Sequence, residues 1–256
     1  MGGGSISFGV GATTVLASDS NDELIHFYEQ CRDNIAELLS EIRMLSDDPT
    51  VYYAVRSRLG LSGASRAARF YYLNRTSYMG LYRTNQQGIF NVPYGGGDRL
   101  NHEKAESQLG ELSSRMKRAT VAVSDFRETL SKVQPGDFVV LDPPYGHSGD
   151  TPFRRYGREV FSQRDHQDLA EKSLALAETD ATVLATLPYD PRVLTLYRDW
   201  RVILTRTNSS GKILEVGVSP DALAVTKPGA RIGWNPAQNS SRNRSHPPYF
   251  WKNLGL

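Results

Sequence analysis

The stretch Asp137-Phe-Val-Val-Leu-Asp-Pro-Pro-Tyr145 decides the fold of this chain. Its apolar run, 138–141, follows the turn signal Pro135-Gly136 and is typical of a strand buried on both faces of a parallel sheet. Two prolines end the strand because neither has an N–H that could join a ladder. Functional groups of open α/β sheets gather beyond the carboxyl ends of the strands, so Asp142 and Tyr145 are predicted to lie where chemistry takes place.

The residues after this strand suit the binding of a planar amino group. The Asp142 carboxylate and the Pro143 carbonyl offer two hydrogen-bond acceptors, and the Tyr145 ring offers a face for stacking. A conjugated amine is a poor nucleophile because its lone pair is delocalised, and two acceptors on its protons favour a pyramidal, reactive nitrogen. A strand closed by a simple turn is the alternative, and the tyrosine together with the apolar run favours the functional interpretation.

Length and composition restrict the class of protein. The 256 residues suffice for one α/β domain with a smaller insertion. No apolar stretch reaches the length of a membrane span and no signal peptide opens the chain, so we expect a cytoplasmic, intracellular protein without membrane contact. The single cysteine, Cys31, excludes an intramolecular disulfide, and the five histidines lack metal-ligand spacing, so no metal is expected. We also expect a monomer.

Charge is spread unevenly although the net charge is only +2. Residues 1–49 hold two basic and nine acidic side chains, whereas residues 50–120 hold eleven basic and four acidic ones. Five further basic side chains and no acidic one follow from Lys227 onward. A basic segment interleaved with tyrosines indicates a polyanionic partner such as DNA, with a solvated surface as the alternative.

The first segment has a layout typical of nucleoside binding. A glycine cluster, Gly2, Gly3 and Gly4, precedes a strand predicted over 13–17 that ends near Asp19. Glycines allow close approach of the backbone to a ligand, and a strand-end carboxylate can bind ribose hydroxyls. A flexible terminus and a helix-capping role for Asp19 are the alternatives. The spacing Ser20-x-x-Glu23 predicts a capping box that opens one helix continuing to Leu45.

The later segments alternate between helices and strands. A helix and then a hairpin with Gly88 at its turn are predicted within 67–95, where tyrosines beside arginines suit a packed core and a base-reading surface equally well. A strand over 120–124 ends at Asp125 and Phe126, which suit either an adenine contact or a helix cap with a core ring. Further predictions are a helix from Ser162 to about 177, strands over 181–187 and 201–205, and a hairpin of 212–218 with 222–226.

Two motifs resemble one family over most of the chain. The strand-end Asp-Pro-Pro-Tyr is similar to that of enzymes that methylate adenine N6, or cytosine N4, with S-adenosylmethionine. The run Leu73-Asn-Arg-x-x-Tyr-x-Gly-Leu-x-Arg-x-Asn-x-x-Gly-x-Phe-Asn-Val-Pro93 resembles the target-recognition region of Dam-type DNA adenine methyltransferases, the D12 class, alpha group. The chain is therefore identified as a member of that class. The resemblance implies a prokaryotic or phage enzyme acting on double-stranded DNA at GATC or a related site.

The resemblance also assigns roles to individual residues. It implies that Arg83 reads a guanine and that Tyr78 inserts beside the target adenine or supports its extrusion. It also implies that Asn85 helps to fix the hairpin on the duplex, while Leu81 and Pro93 contact neighbouring bases. It implies a catalytic motif of Asp142, Pro143, Pro144 and Tyr145. It further implies that S-adenosylmethionine is bound by the residues Gly2, Gly3, Gly4, Asp19, Asp125, Phe126 and Asp142.

The predicted fold is a Rossmann-like methyltransferase sheet with helices on both faces and a small helical and hairpin recognition domain. We expect a cofactor-binding part over 1–49, the recognition domain over 50–118, a catalytic part over 119–227 and a basic tail over 228–256. The glycines fit the last places of the family's Phe-x-Gly-x-Gly motif, so we expect the first strand to be missing. Two alternatives remain, a catalytically silent DNA-binding homologue and a methyltransferase acting on RNA or on protein.

Overall fold

The computed structural model describes residues 8, 12–85, 87–144, 161–188, 191–198, 200–207 and 213–219. These residues divide into two compact units, the first ending at Thr129 and the second beginning at Leu130. Helices and strands are interspersed along the chain, which confirms the predicted α/β class. No helix among these residues is long and apolar enough to cross a membrane.

The elements of the first unit are two strands and five helices within its described part, with a sixth, short helix at its boundary. In chain order they are β1 (Val15–Asp19), α1 (Asp22–Asp33), α2 (Ile35–Arg43), α3 (Pro49–Ser57), α4 (Gly63–Thr76), a 3-10 turn (Tyr78–Gly80), α5 (His102–Met116), β2 (Ala119–Val123) and α6 (Phe126–Leu130). Strands β1 and β2 are parallel and pair from Val15 with Ala119 to Asp19 with Val123. Both strands therefore end at the same edge.

The predicted start of α1 is wrong by one residue. Asn21, not Ser20, caps the helix: its side-chain oxygen accepts hydrogen bonds from the backbone N–H groups of Glu23 at 3.1 Å and Leu24 at 3.4 Å. The Asp19 carboxylate accepts the Asn21 N–H at 3.0 Å, which fixes the turn between β1 and the helix. An asparagine is as good a cap as serine, so local sequence did not distinguish the two positions.

The prediction of a single helix running to Leu45 is also wrong, because the helix is interrupted at Asn34, between α1 and α2. Asn34 leaves the helical region with φ −134° and ψ 40°. Its backbone N–H donates to the Gln30 carbonyl at 2.9 Å and closes α1, while its own carbonyl accepts the Leu38 N–H at 3.0 Å and opens α2. The apolar spacing continues across the break because both helices bury their apolar faces in the same core.

Two hydrophobic cores share helix α4. The larger is formed by α1, α2, α4, α5 and the β1–β2 pair, and it encloses Cys31, whose burial raises the pKa of its thiol. The smaller joins α3 and the other face of α4 to the segment that follows it, through Tyr52, Val55, Tyr72, Leu73, Phe90 and Val92. The segment after α4 therefore has a core of its own.

The second unit contains one sheet of four strands. Its described elements are β3 (Phe138–Leu141), α7 (Gln163–Ala177), β4 (Thr182–Pro188), α8 (Pro191–Leu194), a 3-10 turn (Thr195–Tyr197), β5 (Arg201–Thr207) and β6 (Ile213–Ser219). The strand order is β3-β4-β6-β5, with β3 parallel to β4 and β6 antiparallel to both of its neighbours. The capping box predicted from Ser162 and Asp165 at the start of α7 is confirmed.

Two predictions about these strands need correction. Strand β6 pairs with β4 and β5, so both of its edges are occupied, and its predicted pairing with 222–226 is wrong; the latter residues lie outside those described. Strand β3 is not buried on both faces: Leu141 is buried, but Phe138 is 52% exposed. The reason is position, because within the described part of the chain β3 pairs with β4 alone and forms an edge of this sheet.

Candidate functional site

The ends of β1 and β2 bring two predicted cofactor residues to one edge. The Ser124 N–H donates to the Asp19 carbonyl at 3.2 Å, so Asp125, two residues after the end of β2, lies close to the end of β1 at Asp19. The Asp19 side chain is half-buried and that of Asp125 is exposed. Two carboxylates from neighbouring parallel strands thus stand at the position where α/β sheets bind nucleosides.

Asp125 also caps α6, as the alternative interpretation anticipated. Its Oδ1 accepts the Arg127 N–H at 2.8 Å, and the Arg127 guanidinium lies 3.2 Å from Oδ2. The same guanidinium stacks over the half-buried Phe126 ring, with 4.3 Å to the ring centroid. Arg127 therefore holds both predicted residues: it fixes the direction of the Asp125 carboxylate, and its guanidinium covers part of the Phe126 ring.

Asp142 follows β3 directly, and its carboxylate is exposed. Thr186, on β4, donates a hydrogen bond from Oγ1 to Asp142 Oδ1 at 2.7 Å. The register explains the contact, because Leu141 pairs with Ala185 and the next residue on each strand is therefore level. Pro143 is buried and Pro144 exposed, so the backbone after Asp142 is anchored on one side and open on the other.

The hairpin predicted around Gly88 is confirmed. Thr84 and Phe90 form an antiparallel bridge, and Gly88 adopts φ +77°, a conformation that favours glycine. The Asn85 side-chain oxygen accepts the N–H groups of Gln87 at 3.0 Å and Ile89 at 2.9 Å, so this side chain holds the turn together.

Arg83 and Asn91 are joined twice across the hairpin. The Asn91 N–H donates to the Arg83 carbonyl at 3.1 Å, and Arg83 Nε donates to Asn91 Oδ1 at 2.8 Å. Arg83 is half-buried and Asn91 is exposed. The guanidinium is therefore attached to the opposite strand of the hairpin through its inner nitrogen.

The base of the hairpin brings Tyr78 and Pro93 together. The Tyr78 N–H donates to the Pro93 carbonyl at 2.8 Å, and the Tyr78 ring is 52% exposed. Leu81 is half-buried and closes the 3-10 turn through its N–H, which donates to the Tyr78 carbonyl at 3.2 Å. The hairpin and the 3-10 turn at its base therefore contain all five residues that were predicted to contact DNA.

Side chains outside the predicted set support this hairpin. Tyr52 on α3 donates to the Val92 carbonyl at 2.9 Å, and Arg56 donates to the same carbonyl at 3.1 Å. The Asp47 carboxylate accepts the Tyr94 hydroxyl at 2.7 Å and the Leu100 N–H at 3.1 Å. An aspartate before α3 therefore connects the end of the hairpin to the approach to α5.

Sequence reasoning missed Asn91 and Thr186, which hold the predicted residues Arg83 and Asp142, and Asp47, which holds the end of the hairpin. The motif that contains Asn91 was recognised, but its partner depends on hairpin register. Thr186 depends likewise on the pairing of two strands that are 44 positions apart in the chain. No group of three or more His, Cys, Asp or Glu side chains within the described ranges is arranged to hold a metal ion. Gly2, Gly3, Gly4 and Tyr145 lie outside the described residues.

Strand-end carboxylates and an arginine-bearing hairpin define an α/β protein with features suited to a nucleoside and to a nucleic acid. Comparison with known proteins identifies the family. The chain belongs to the D12 class of N6 adenine-specific DNA methyltransferases, whose family model matches residues 1–206. The recognised family resemblance is therefore confirmed, and membership implies an enzyme with S-adenosylmethionine as its methyl donor and DNA as its substrate.

Individual relatives agree with this family. The chain is 32% identical over 240 residues to the Type II methyltransferase M1.LlaDCHI of Lactococcus lactis subsp. cremoris, covering 86% of this chain and 84% of that protein. It is 28% identical to the Retron Ec67 DNA adenine methylase of Escherichia coli, covering 87% and 79%. It is 29% identical to a DNA adenine methylase of Serratia marcescens, covering 78% and 75%.

Proposed function

We propose that this chain transfers a methyl group from S-adenosylmethionine to N6 of an adenine extruded from a short, GATC-like site in double-stranded DNA. The observation that carries the proposal is the exposed Asp142 carboxylate at the end of β3, held by Thr186. Extrusion of the base costs a few kcal/mol, which contacts to the duplex and the pocket must offset.

Asp142 and the Pro143 carbonyl are proposed to accept one hydrogen bond each from the two N–H groups of the adenine amine. Pro143 suits this role because its ring fixes φ and its side chain is buried, so the carbonyl direction is set before substrate arrives. Two hydrogen bonds that pull the N–H groups out of the ring plane make the nitrogen pyramidal and localise its lone pair. Positioning of this nitrogen against the methyl donor contributes much of the rate. Pro144 would keep the loop extended, and Tyr145 would stack on the base.

The strand ends of the first unit fit the adenosine part of S-adenosylmethionine. The Asp19 carboxylate would accept ribose hydroxyls, and Asp125 and Phe126 would bind the adenine amino group and ring face, with Gly2, Gly3 and Gly4 allowing close backbone approach. These side chains suit a nucleoside, because its ribose diol requires hydrogen-bond acceptors and its base requires a flat apolar surface. When bound, S-adenosylmethionine supplies an electrophilic methyl group on a sulfonium.

The hairpin is proposed to read the target. Arg83 would donate to guanine O6 and N7, a bidentate contact that discriminates between bases by roughly 1–3 kcal/mol. The exposed Tyr78 ring would insert beside the adenine, since an aromatic wedge can occupy the space of an extruded base. Leu81 and Pro93 would contact neighbouring bases. Asn85 would act by keeping the hairpin in the shape that follows the groove.

The proposed arrangement assigns 1–49 and 119–227 to one Rossmann-like methyltransferase domain and 50–118 to target recognition. The separate core beneath the hairpin supports a recognition domain. Parallel pairing within each unit, of β1 with β2 and of β3 with β4, is typical of α/β domains and supports this assignment. The three relatives named above come from bacteria, which favours a cytoplasmic enzyme. We propose that this enzyme is monomeric.

A methylation assay on duplex DNA tests this function. Wild-type protein, labelled S-adenosylmethionine and duplexes with and without GATC would be combined, and N6-methyladenine would be measured by mass spectrometry. Asp142→Ala should abolish methylation while DNA binding stays within about twofold, because the residue acts on the amino group and positioning effects are large. Asp180→Asn, an exposed carboxylate at the opposite end of β4, is the matched control and should retain activity.

The alternatives give different results in the same assay. A silent DNA-binding homologue would bind the duplex but show no heat with S-adenosylmethionine in calorimetry. An enzyme that acts on RNA or protein would transfer label to those substrates in competition and leave duplex DNA unmodified. Full activity in Asp142→Ala would refute the catalytic assignment.

A further inference from the structure

The Arg83–Asn91 pair determines which edge of the guanidinium can face a base. Arg83 Nε donates to Asn91 Oδ1 at 2.8 Å, and the backbone bond between the same residues, 3.1 Å long, keeps the two side chains level across the hairpin. A guanidinium can present either its Nε–Nη edge or its Nη1–Nη2 edge to two acceptors. With Nε engaged by Asn91, the Nη1–Nη2 edge is the one suited to guanine O6 and N7.

Asn91 is also chemically suited to hold an arginine near DNA. Its amide oxygen accepts the Nε proton without adding a negative charge beside a polyphosphate, whereas a carboxylate would do so. Arginine is a long side chain that loses several rotational freedoms when it binds a base. A neighbour that restricts the guanidinium beforehand reduces the free energy lost on binding and narrows the directions from which a base can be read.

We infer that Asn91 is a specificity-determining positioning residue, which orients the Arg83 guanidinium so that its terminal nitrogens read one guanine of the target. The inference rests on the proposed function, in which Arg83 reads a guanine. Asn91 acts through Arg83 and need not touch that base. Its loss therefore weakens discrimination at a single position of the site, rather than lowering activity on every site equally.

The experiment compares base discrimination among variants. Methylation rates (kcat/KM) would be measured on a set of duplexes carrying every single-base change in the GATC-like site. Arg83→Ala identifies the position that it reads. Asn91→Ala should reduce the preference for guanine at that same position by about tenfold, a part of the discrimination that a bidentate contact gives, and should leave the other positions unchanged.

Two further variants separate positioning from a merely structural role. Asn91→Asp keeps the acceptor oxygen and should restore the preference for guanine, although overall DNA affinity falls. In an Arg83→Ala background, Asn91→Ala should change discrimination no further. A uniform loss of rate at all positions, or an additive effect in the double variant, would overturn the inference.

Failure of the proposed function is distinguishable from failure of this inference. If wild-type protein methylates no duplex, the proposed function fails, and competition binding with the same duplexes replaces the rate measurement. The expected result is then a loss of binding preference at one position in Asn91→Ala. Unchanged preference at every position would overturn the inference whichever measurement is used.

Discussion

The Thr186 hydroxyl donates a 2.7 Å hydrogen bond to Asp142 and thereby joins the ends of two neighbouring parallel strands. One oxygen of the Asp142 carboxylate therefore accepts a hydrogen bond from Thr186 on a strand of the sheet, and a donor on a strand is held more rigidly than a donor on a loop. The direction of the other oxygen follows from that constraint. The orientation of the carboxylate is therefore set by strand register.

Thr186→Val should lower kcat about tenfold without a comparable change in KM for DNA, because a hydrogen bond to a charged group contributes roughly 1.5–3 kcal/mol. Steady-state methylation kinetics measure both constants. Thr186→Ser keeps the hydroxyl and should retain most of the activity. Equal kcat in the valine and serine variants would show that the bond does not orient Asp142 for catalysis.

Asp19→Asn should weaken S-adenosylmethionine binding by about tenfold, since replacement of a carboxylate by an amide removes charge assistance from hydrogen bonds to ribose. The variant retains an oxygen that can accept the Asn21 N–H, so the turn before α1 should survive. Titration calorimetry gives the dissociation constant. Asp33→Asn is the control, because Asp33 forms a surface ion pair with Arg32 and is not among the predicted cofactor residues. Its cofactor affinity should be unchanged.

Gly95→Ala should destabilise the segment that contains the hairpin by about 1–3 kcal/mol, the usual cost of overpacking. A Cβ at Gly95 would overlap the Ser77 carbonyl, and the backbone cannot move away easily because the Gly95 N–H is bonded to the Thr76 carbonyl at 2.9 Å. Thermal or urea unfolding measures the change. Gly97→Ala, where a Cβ meets an ordinary 3.6 Å contact with the Tyr94 hydroxyl, should be nearly neutral.

The free energy of unfolding should decrease between pH 10 and pH 12, and Tyr72 should contribute to this decrease. Burial raises the pKa of Tyr72 from 10.0 to about 12, and its hydroxyl donates to the Ser46 carbonyl at 2.8 Å. In that interval the folded state binds more protons than the unfolded state, so the stabilisation is complete below pH 10 and is lost as the pH rises. Other buried tyrosines in the described ranges behave similarly, Tyr52 among them.

Urea unfolding at a series of pH values measures this effect. Tyr72→Phe removes one titrating phenol and should make the decline shallower, while costing about 1 kcal/mol at neutral pH through the lost hydrogen bond. Tyr53→Phe alters a ring that is 45% exposed and serves as the comparison. An identical decline in all three proteins would exclude a contribution from Tyr72.

Sequence patterns predicted the class of fold because the deciding signals are local. The apolar run before Asp142, the capping box at Ser162 and the turn glycine Gly88 each follow from conformational preferences of a few adjacent residues. All three appear in the structure. The hairpin was predicted on the same basis, and the family resemblance added roles that no periodicity could supply.

The predictions were wrong where the local sequence allowed two structures equally well and tertiary contacts selected one of them. Ser20 and Asn21 are both good caps, and the bond from Asn21 N–H to Asp19 selects the second. The pairing of β6 was assigned to a neighbour in sequence, whereas burial between β4 and β5 prevails over proximity along the chain. Thr186 and Asn91 were missed because their roles depend on register, which a single sequence does not specify.

The enclosure of Cys31 within the larger core has a practical consequence. It is the sole thiol of the chain, it is fully shielded from solvent, and burial keeps it protonated by raising its pKa. A cysteine introduced at the exposed Ile89 on the hairpin would therefore be labelled selectively by a thiol-directed fluorophore in an otherwise native background. The emission of that dye would then report in real time whether the hairpin engages DNA, as proposed.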